Sequence, residues 1–463
     1  MPDDSLVSDE LFKALSGLHR KIIVLDDDPT GVQTVHGVSV FTSWDREAIE
    51  RGFAEPQPMF FVLTNSRSFS QEETVRVHRD IADNITRASE ATGKKFILIS
   101  RGDSTLRGHF PTETATLREV LEEHSSIRFD GEILFPFFKE GGRFTIANVH
   151  YVREGRSLVP AGQTEFAKDA TFGYQSSDLG AWVEEKTQGA YTRASCTYIS
   201  LEDLRARSVD SIVDQLLRVR DFNKVIVNAI DYIDVKIFAL AFARVLAMGK
   251  EFMFRSAAAV TKVMGGVPDA PLLSREKLID RDNRNGGLVL IGSHVRKTTQ
   301  QFEALRALGD RVEFVEFNQH LVMVPGGLER EVERTLSLAA NYIPQGRTIV
   351  IYTRRERFDL NTSDSEQQLA ISVKISAALT SIIGRLEIRP SFIIAKGGIT
   401  SSDVGTKALR VKKATVMGQI KPGIPVWMTG EESKFPRMPF IIFPGNVGDT
   451  DTLRQIVAEL NPT

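Results

Sequence analysis

The sequence predicts an α/β protein: two α/β domains with largely parallel sheets in a Rossmann-like three-layer arrangement, and an active site in the cleft between the domains. Three observations lead to this reading. Short apolar runs recur along the 463 residues, and most are continuous rather than alternating, as in strands covered on both faces. Helical patterns separate these runs, the alternation that builds α/β sheets. A Pro-bearing, charged, Gly-ended stretch interrupts the alternation between residues 268 and 287, as a linker between domains does.

In chain order, the strand candidates of the first half are residues 21–25, 38–42, 59–64, 96–100, 132–135, 225–228 and 252–255. Those of the second half are 288–292, 312–317, 348–352, 392–395, 424–428 and 440–443. Helical patterns fall at 70–91, 112–123, 201–220, 298–308, 365–386 and 402–411. Pro268, Pro271, a charged run over 275–284 and Asn285-Gly286-Gly287 mark the boundary, giving domains at 1–270 and 288–463 joined by a linker at 271–287. Residues 137–175 mix glycines, aromatics and charges without clear periodicity. A loop that long in a compact domain is usually functional or mobile.

Composition narrows the function classes. A net charge of −2 leaves no basic footprint for nucleic acid. The single cysteine, Cys196, excludes an internal disulfide and fits a reducing compartment. The opening Met1-Pro2-Asp3-Asp4-Ser5 lacks a basic-then-apolar signal pattern. The most apolar long stretch, 237–248, is short and contains Arg244, whereas a membrane span needs about 20 mostly apolar residues. The expectation is a cytoplasmic protein with neither nucleic acid nor membrane as partner; a homodimer is compatible with the sequence.

Three loops of the first half carry chemistry. Asp26-Asp27-Asp28-Pro29-Thr30-Gly31 follows an apolar run directly; Pro29 stops the ladder and Gly31 permits a tight turn. Ligands of open α/β sheets bind beyond the carboxyl ends of the strands. Carboxylates there can accept bonds from substrate hydroxyls, hold Mg²⁺ through oxygen ligands or take a proton from an attacking hydroxyl. A solvated acidic turn is the plainer alternative, but three crowded like charges cost energy unless cations or hydroxyls compensate.

Ser66-Arg67-Ser68 follows the run at 59–64; an arginine in that place can hold a carboxylate with two parallel bonds, and a surface arginine is the plainer alternative. Ser100-Arg101-Gly102-Asp103-Ser104-Thr105-Leu106-Arg107-Gly108-His109 packs two arginines, an aspartate, hydroxyls and glycines into one loop suited to a polyhydroxy acid. A capped turn at Asp103 or Ser104 is its structural alternative, and His109 reads equally as a ligand or a packed residue.

The second half offers glycine turns before helices: Ile291-Gly292-Ser293-His294, then Lys396-Gly397-Gly398-Ile399-Thr400-Ser401-Ser402-Asp403, then Phe443-Pro444-Gly445-Asn446-Val447-Gly448-Asp449. Together they describe a phosphate cradle of backbone N–H groups and hydroxyls. There is no Walker A motif, no GxGxxG after the first strand, no zinc-like spacing and no G-x-S-x-G elbow.

Taken in order, Asp27-Asp28-Pro29-Thr30-Gly31, Ser66-Arg67-Ser68 and Arg101-Gly102-Asp103-Ser104-Thr105-Leu106-Arg107-Gly108 resemble the four-carbon acid sugar kinase family. Gly142-Arg143-Phe144-Thr145, His150-Tyr151-Val152 and Gln163-Thr164-Glu165-Phe166-Ala167 look like its central segment, and the three glycine turns like its nucleotide-binding domain. The resemblance covers most of the chain.

It implies ATP-dependent phosphorylation of a terminal hydroxyl on threonate, erythronate or a related 3-oxo acid. Asp27 or Asp28, with Arg67, Arg101, Gly102, Asp103, Ser104 and Arg107, would bind the sugar acid. Ser293, Gly397, Gly398, Ile399, Thr400 and Gly445 would bind ATP, with Mg²⁺ bridging its phosphates. One of Asp27 and Asp28 would orient, and deprotonate, the attacking hydroxyl.

Two positions depart from the family pattern. Several relatives carry Phe or Leu in place of Pro29 and an acidic residue in place of Ile399. The chain is also longer than many relatives, which leaves room for a larger or branched acid. A non-catalytic two-domain sugar-acid receptor shares the first set of loops but needs no ATP site. An oxidoreductase would need the dinucleotide fingerprint that the sequence lacks.

Overall fold

The computed structural model describes residues 4–356, 358, 365–445 and 447–461, without the side chains of 365–370. Met1-Pro2-Asp3 of the opening and Asn446 of the last glycine turn lie outside the described residues. The chain divides into two compact units, Met1–Asp269 and Ala270–Thr463.

The first unit is built on β1 (Lys21–Asp26), β2 (Ser39–Phe41), β3 (Met59–Leu63), β4 (Phe96–Arg101) and β5 (Gly131–Phe135). After a separate antiparallel sheet of β6 (Arg143–Ile146), β7 (Val149–Glu154) and β8 (Ser157–Pro160) come β9 (Thr197–Ile199), β10 (Asn223–Val227) and β11 (Phe252–Ser256). The main sheet runs β2-β3-β1-β4-β11-β5-β10-β9 with every neighbouring pair parallel.

The unbroken apolar runs are explained by helices on both faces. Ile23, Leu25, Phe60, Leu98 and Met253 pack with Val77, Ile81 and Leu117 of helices Gln71–Thr92 and Thr112–His124. The alternate residues Phe135 and Phe254 meet Phe238 and Phe242 of helix Tyr232–Ala247, at ring-centroid distances of 5.5 and 4.8 Å. No described helix is long and apolar enough to cross a membrane.

The second unit carries β12 (Leu288–Ile291), β13 (Val312–Phe317), β14 (Thr348–Thr353), β15 (Ile393–Lys396), β16 (Lys413–Lys421), β17 (Ile424–Thr429) and β18 (Pro439–Phe443). Strands β13-β14-β12-β15-β18 are parallel, and β17 and β16 extend them antiparallel. Helices Arg296–Leu305 and Thr452–Leu460 cover one face through Phe302, Leu305, Ile456 and Val457. Leu273, Leu278 and Ile279, from the stretch read as a linker, belong to that same core.

The structure amends several sequence expectations. The aperiodic stretch 137–175 contains the β6–β8 meander; its first hairpin turns through Ala147 and Asn148, both at positive φ, a type I′ geometry that Ala-Asn signals weakly. The helix expected over 201–220 splits into Leu201–Arg205 and Val209–Leu217, with Arg207 at φ 56 between them. The helix expected over 402–411 begins earlier, as Gly398–Asp403, and passes into a π-helical turn at Val404–Ala408. Strands β9 and β16 had no counterpart among the sequence candidates.

Candidate functional site

β1 lies between β3 and β4, with Asp26 in register with both Leu63 and Arg101. The loops leaving these three strands therefore emerge together at one sheet edge. Arg67, on the single 3₁₀ turn Ser66–Ser68, reaches Asp27 with two parallel bonds, Nη2 to Oδ1 at 2.7 Å and Nε to Oδ2 at 3.2 Å. Arg101 Nη1 bridges Asp26 Oδ1 at 3.0 Å and Asp27 Oδ1 at 3.1 Å.

Guanidinium groups thus compensate the crowded carboxylates. Arg67 and Arg101, expected to face a ligand carboxylate, are engaged with the protein's own.

Asp28 is held differently. Its Oδ1 accepts the Thr30 N–H at 2.8 Å and its Oδ2 stands 3.7 Å from Arg67. Its side chain is 17% exposed against 2% for Asp27, so Asp28 is the aspartate a ligand can reach. Burial raises the Asp28 carboxyl, but Arg67 and the bonds from Thr30 outweigh it and leave the group below its ordinary value. Asp26 goes the other way: burial, opposed by Arg101 but reinforced by Asp27 and Asp28, pushes it up to about 7.

The loop after β4 is moulded onto a buried arginine that the sequence reading passed over. Arg255, near the end of β11, donates to Glu113 Oε2 at 2.6 Å and to Ser100 Oγ at 3.1 Å. A Cβ on Gly102 would lie 2.2 Å from the Arg255 guanidinium carbon, and one on Gly108 2.6 Å from its Nη2; glycine at both positions lets the loop close over it.

Asp103 then accepts from Thr105 Oγ1 and, at 2.7 Å, from Arg107 Nε. Burial opposes its ionisation, but Arg107 and Arg67 overcome this and hold it far below the usual carboxylate range. His150 bonds the Ser104 carbonyl at 2.8 Å and Tyr174 donates to the Thr105 carbonyl at 2.7 Å. His109 is a packed residue, against the Phe69 carbonyl at 3.0 Å and the Phe172 ring at 4.8 Å. A charged residue inside an apolar strand was the available signal for Arg255, and Glu113 had none beyond its place in the first turn of a helix.

In the second unit, β15 lies between β12 and β18, so their three glycine turns also share an edge. A Cβ on Gly397, whose φ is +118, would lie 3.1 Å from Ser293 Cβ. One on Gly292 would lie 2.6 Å from Thr400 Oγ1, and one on Gly445 3.3 Å from Ser293 Oγ. Ser293, Gly397, Thr400 and Gly445 therefore form one cluster, and Gly398 opens the helix beside it. Ile399 is 69% exposed, its apolar side chain turned to solvent.

Side chains without a role in the sequence reading fix this cluster. Buried Lys396 donates to the carbonyls of Pro444 at 2.6 Å and Gly445 at 3.2 Å and sits 3.9 Å from the Phe443 ring centroid. Burial, aided by Lys297, pulls its amine down to about 6. Thr298 donates to the Gly445 carbonyl at 3.1 Å and to Ser293 Oγ at 3.2 Å, while Gln301 holds the carbonyls of Val447 and Asp449 at 3.0 and 2.9 Å. Arg355, past the end of β14, donates to the Ser293 carbonyl at 2.8 Å.

Among the described residues no group of three or more His, Cys, Asp or Glu is arranged to hold a metal ion. Residues 22–264 match a family described as a sugar-binding N-terminal domain, and residues 288–453 one described as a nucleotide-binding C-terminal domain. No curated protein sequence matches the chain.

Solved structures are similar in fold, two of them as follows. One is a Salmonella typhimurium LT2 protein provisionally described as a tRNA synthase, with TM-score 0.65, 16% identity, and 95% of this chain and 98% of that one covered. The other is a Haemophilus influenzae protein of DUF1537, with TM-score 0.59, 15% identity, and 94% and 99% covered. At such identities the likeness shows the fold alone.

Proposed function

Because this chain belongs to the four-carbon acid sugar kinase family, which joins a sugar-binding domain to a nucleotide-binding domain, we propose that it transfers the γ-phosphoryl group of ATP to a terminal hydroxyl of a four-carbon sugar acid. The observation that carries this reading is the contrast between the two loop clusters. Each lies at the carboxyl edge of a parallel sheet, one built of aspartates and arginines, the other of glycines and hydroxyls.

In this reading Asp27, Asp28, Arg67, Arg101, Gly102, Asp103, Ser104 and Arg107 surround the sugar acid, and Ser293, Gly397, Gly398, Ile399, Thr400 and Gly445 surround ATP. The reaction demands placement and charge neutralisation more than covalent chemistry. Bringing both ligands together also excludes water, the competing acceptor. Asp28 accepts the hydrogen bond of the attacking hydroxyl and aims it, its accessible carboxylate being the better placed of the two candidates. A carboxyl held below its ordinary value is a weak base, which suits a loose transition state where the hydroxyl proton leaves late. Mg²⁺ travelling with the nucleotide would neutralise phosphate charge, and no protein ligand is assigned to it.

A coupled ADP-release assay across four- and five-carbon sugar acids, with ATP and Mg²⁺, tests the proposal. Saturable, acid-dependent ADP release is expected. A chain that binds these acids and ATP yet releases no ADP above the hydrolysis blank is a receptor, not a kinase.

A further inference from the structure

The arginines around the sugar-binding loops are not equivalent. Arg67 is paired with Asp27, Arg101 with Asp26 and Asp27, Arg107 with Asp103, and Arg255 with Glu113. Arg143, the first residue of β6, makes no ion pair among the described residues. It donates to the Gly141 carbonyl, and its Nε is buried without a hydrogen-bond partner. Its guanidinium lies 5.7 Å from the centroid of the Phe166 ring, which Arg107 approaches at 5.0 Å.

Asp103 is the anion that acts on Arg143, but it makes no ion pair with it among the described residues, and its Oδ2 accepts from both Arg107 and Thr105. Burial, only partly offset by Asp103, weakens the hold of Arg143 on its proton. A desolvated guanidinium without a carboxylate is costly to keep, and its planar fork matches a carboxylate better than any other anion of this size save phosphate.

We infer that Arg143 receives the carboxylate of the sugar acid, completing a guanidinium of the cluster that has no ion pair among the described residues. This rests on the sugar-acid reading above and replaces Arg67 and Arg101 in the role that the sequence suggested for them. The residue is partly exposed, so a ligand can reach it, and the Asp27–Arg67 pair stays intact beside the hydroxyls. Selectivity follows: an uncharged polyol leaves Arg143 desolvated and unpaired, a penalty that an acid removes.

Calorimetric titration of the full chain without nucleotide tests this, using D- and L-threonate and D- and L-erythronate as probes and threitol and erythritol as uncharged controls. The wild type should prefer an acid over its polyol. Arg143→Gln should weaken acid binding about 10- to 100-fold without changing polyol binding, and Arg143→Lys should recover part of the loss. In turnover the change should appear in KM for the acid, with kcat and KM for ATP nearly constant. Unchanged acid affinity in Arg143→Gln overturns the inference, as does an equal loss for acid and polyol or a loss that Arg143→Lys shares in full. Arg143-dependent acid binding without any ADP release would sustain it while removing the kinase reading. No acid binding by the wild type would remove both.

Discussion

At the carboxyl ends of β1, β3 and β4 the first unit gathers guanidinium and carboxylate groups; at those of β12, β15 and β18 the second presents backbone and hydroxyls. Most charges of the first cluster are already paired: Arg67 and Arg101 answer Asp26 and Asp27, Arg107 answers Asp103 and Arg255 answers Glu113. The second depends on shape: glycines stand where a Cβ would collide with Ser293 or Thr400, and buried Lys396, Thr298 and Gln301 pin the last turn by its carbonyls. A lesion in the first should unbalance charge, and a lesion in the second should change contour.

The largest effect should come from Asp28→Asn. Turnover should fall about 10²- to 10⁴-fold while ATP binding, read by calorimetry, stays as in the wild type. Asp27→Asn is its foil. It removes the carboxylate that Arg67 holds with two bonds and leaves Arg101 with Asp26, so it should lower unfolding stability by about 3–5 kcal/mol in a urea titration as well as impair turnover. If Asp28→Asn turns over normally while remaining folded, the hydroxyl-aiming role passes to another group.

A reciprocal pair sharpens the contrast further. Gly102→Ala drives a methyl into the Arg255 guanidinium and should raise KM for the acid alone. Gly397→Ala forces a side chain onto φ +118 and should weaken ATP binding alone, by about 5- to 100-fold for a strain of 1–3 kcal/mol. Should either variant damage both ligands equally, the division of labour between the clusters is wrong.

A smaller effect is expected at Lys396. Its amine, pulled down to about 6, serves as a largely neutral donor at pH 7. Lys396→Met should keep the packing and lose two carbonyl contacts, weakening ATP binding about tenfold through loosening of the 444–445 turn. Wild-type ATP affinity in this variant would show that the turn holds itself.

The mildest test concerns Asp26. Its carboxyl stands at about 7 in the folded chain against an ordinary 3.8, so the folded state binds the proton more tightly than the unfolded one. Stability from this group is full below pH 4 and is lost as pH rises to about 7. Asp26→Asn should flatten that part of the profile of urea midpoint against pH; an unaltered slope would show that Arg101 keeps Asp26 charged throughout.

Much of the fold could be read from the sequence, because parallel strands buried on both faces appear as unbroken runs such as Ile22-Ile23-Val24-Leu25 and Phe60-Phe61-Val62-Leu63. Short edge strands such as β9 escaped, having too few residues to show a period. The loops bearing Asp27, Arg67 and Arg101 were readable from their concentration of charge beyond strand ends. Who pairs with whom was not: Arg67 is one turn of chain past β3, and only the placement of β1 between β3 and β4 brings it to Asp27. Arg255 and Glu113 lie 142 positions apart, and no local pattern announces a buried pair whose partners meet through the fold.

The β6–β8 meander hangs outside the main sheet, between β5 and β9. It carries Arg143 and His150, and the stretch after it supplies Phe166 and Tyr174. In the proposed reading ligand preference rests on this segment, which adds no strand to the main sheet and meets it where Thr145 and Ala229, just past β10, exchange backbone hydrogen bonds. Under that reading, grafting residues 137–175 from a relative should move acid selectivity with the segment while Asp27 and Asp28 stay on the loop after β1.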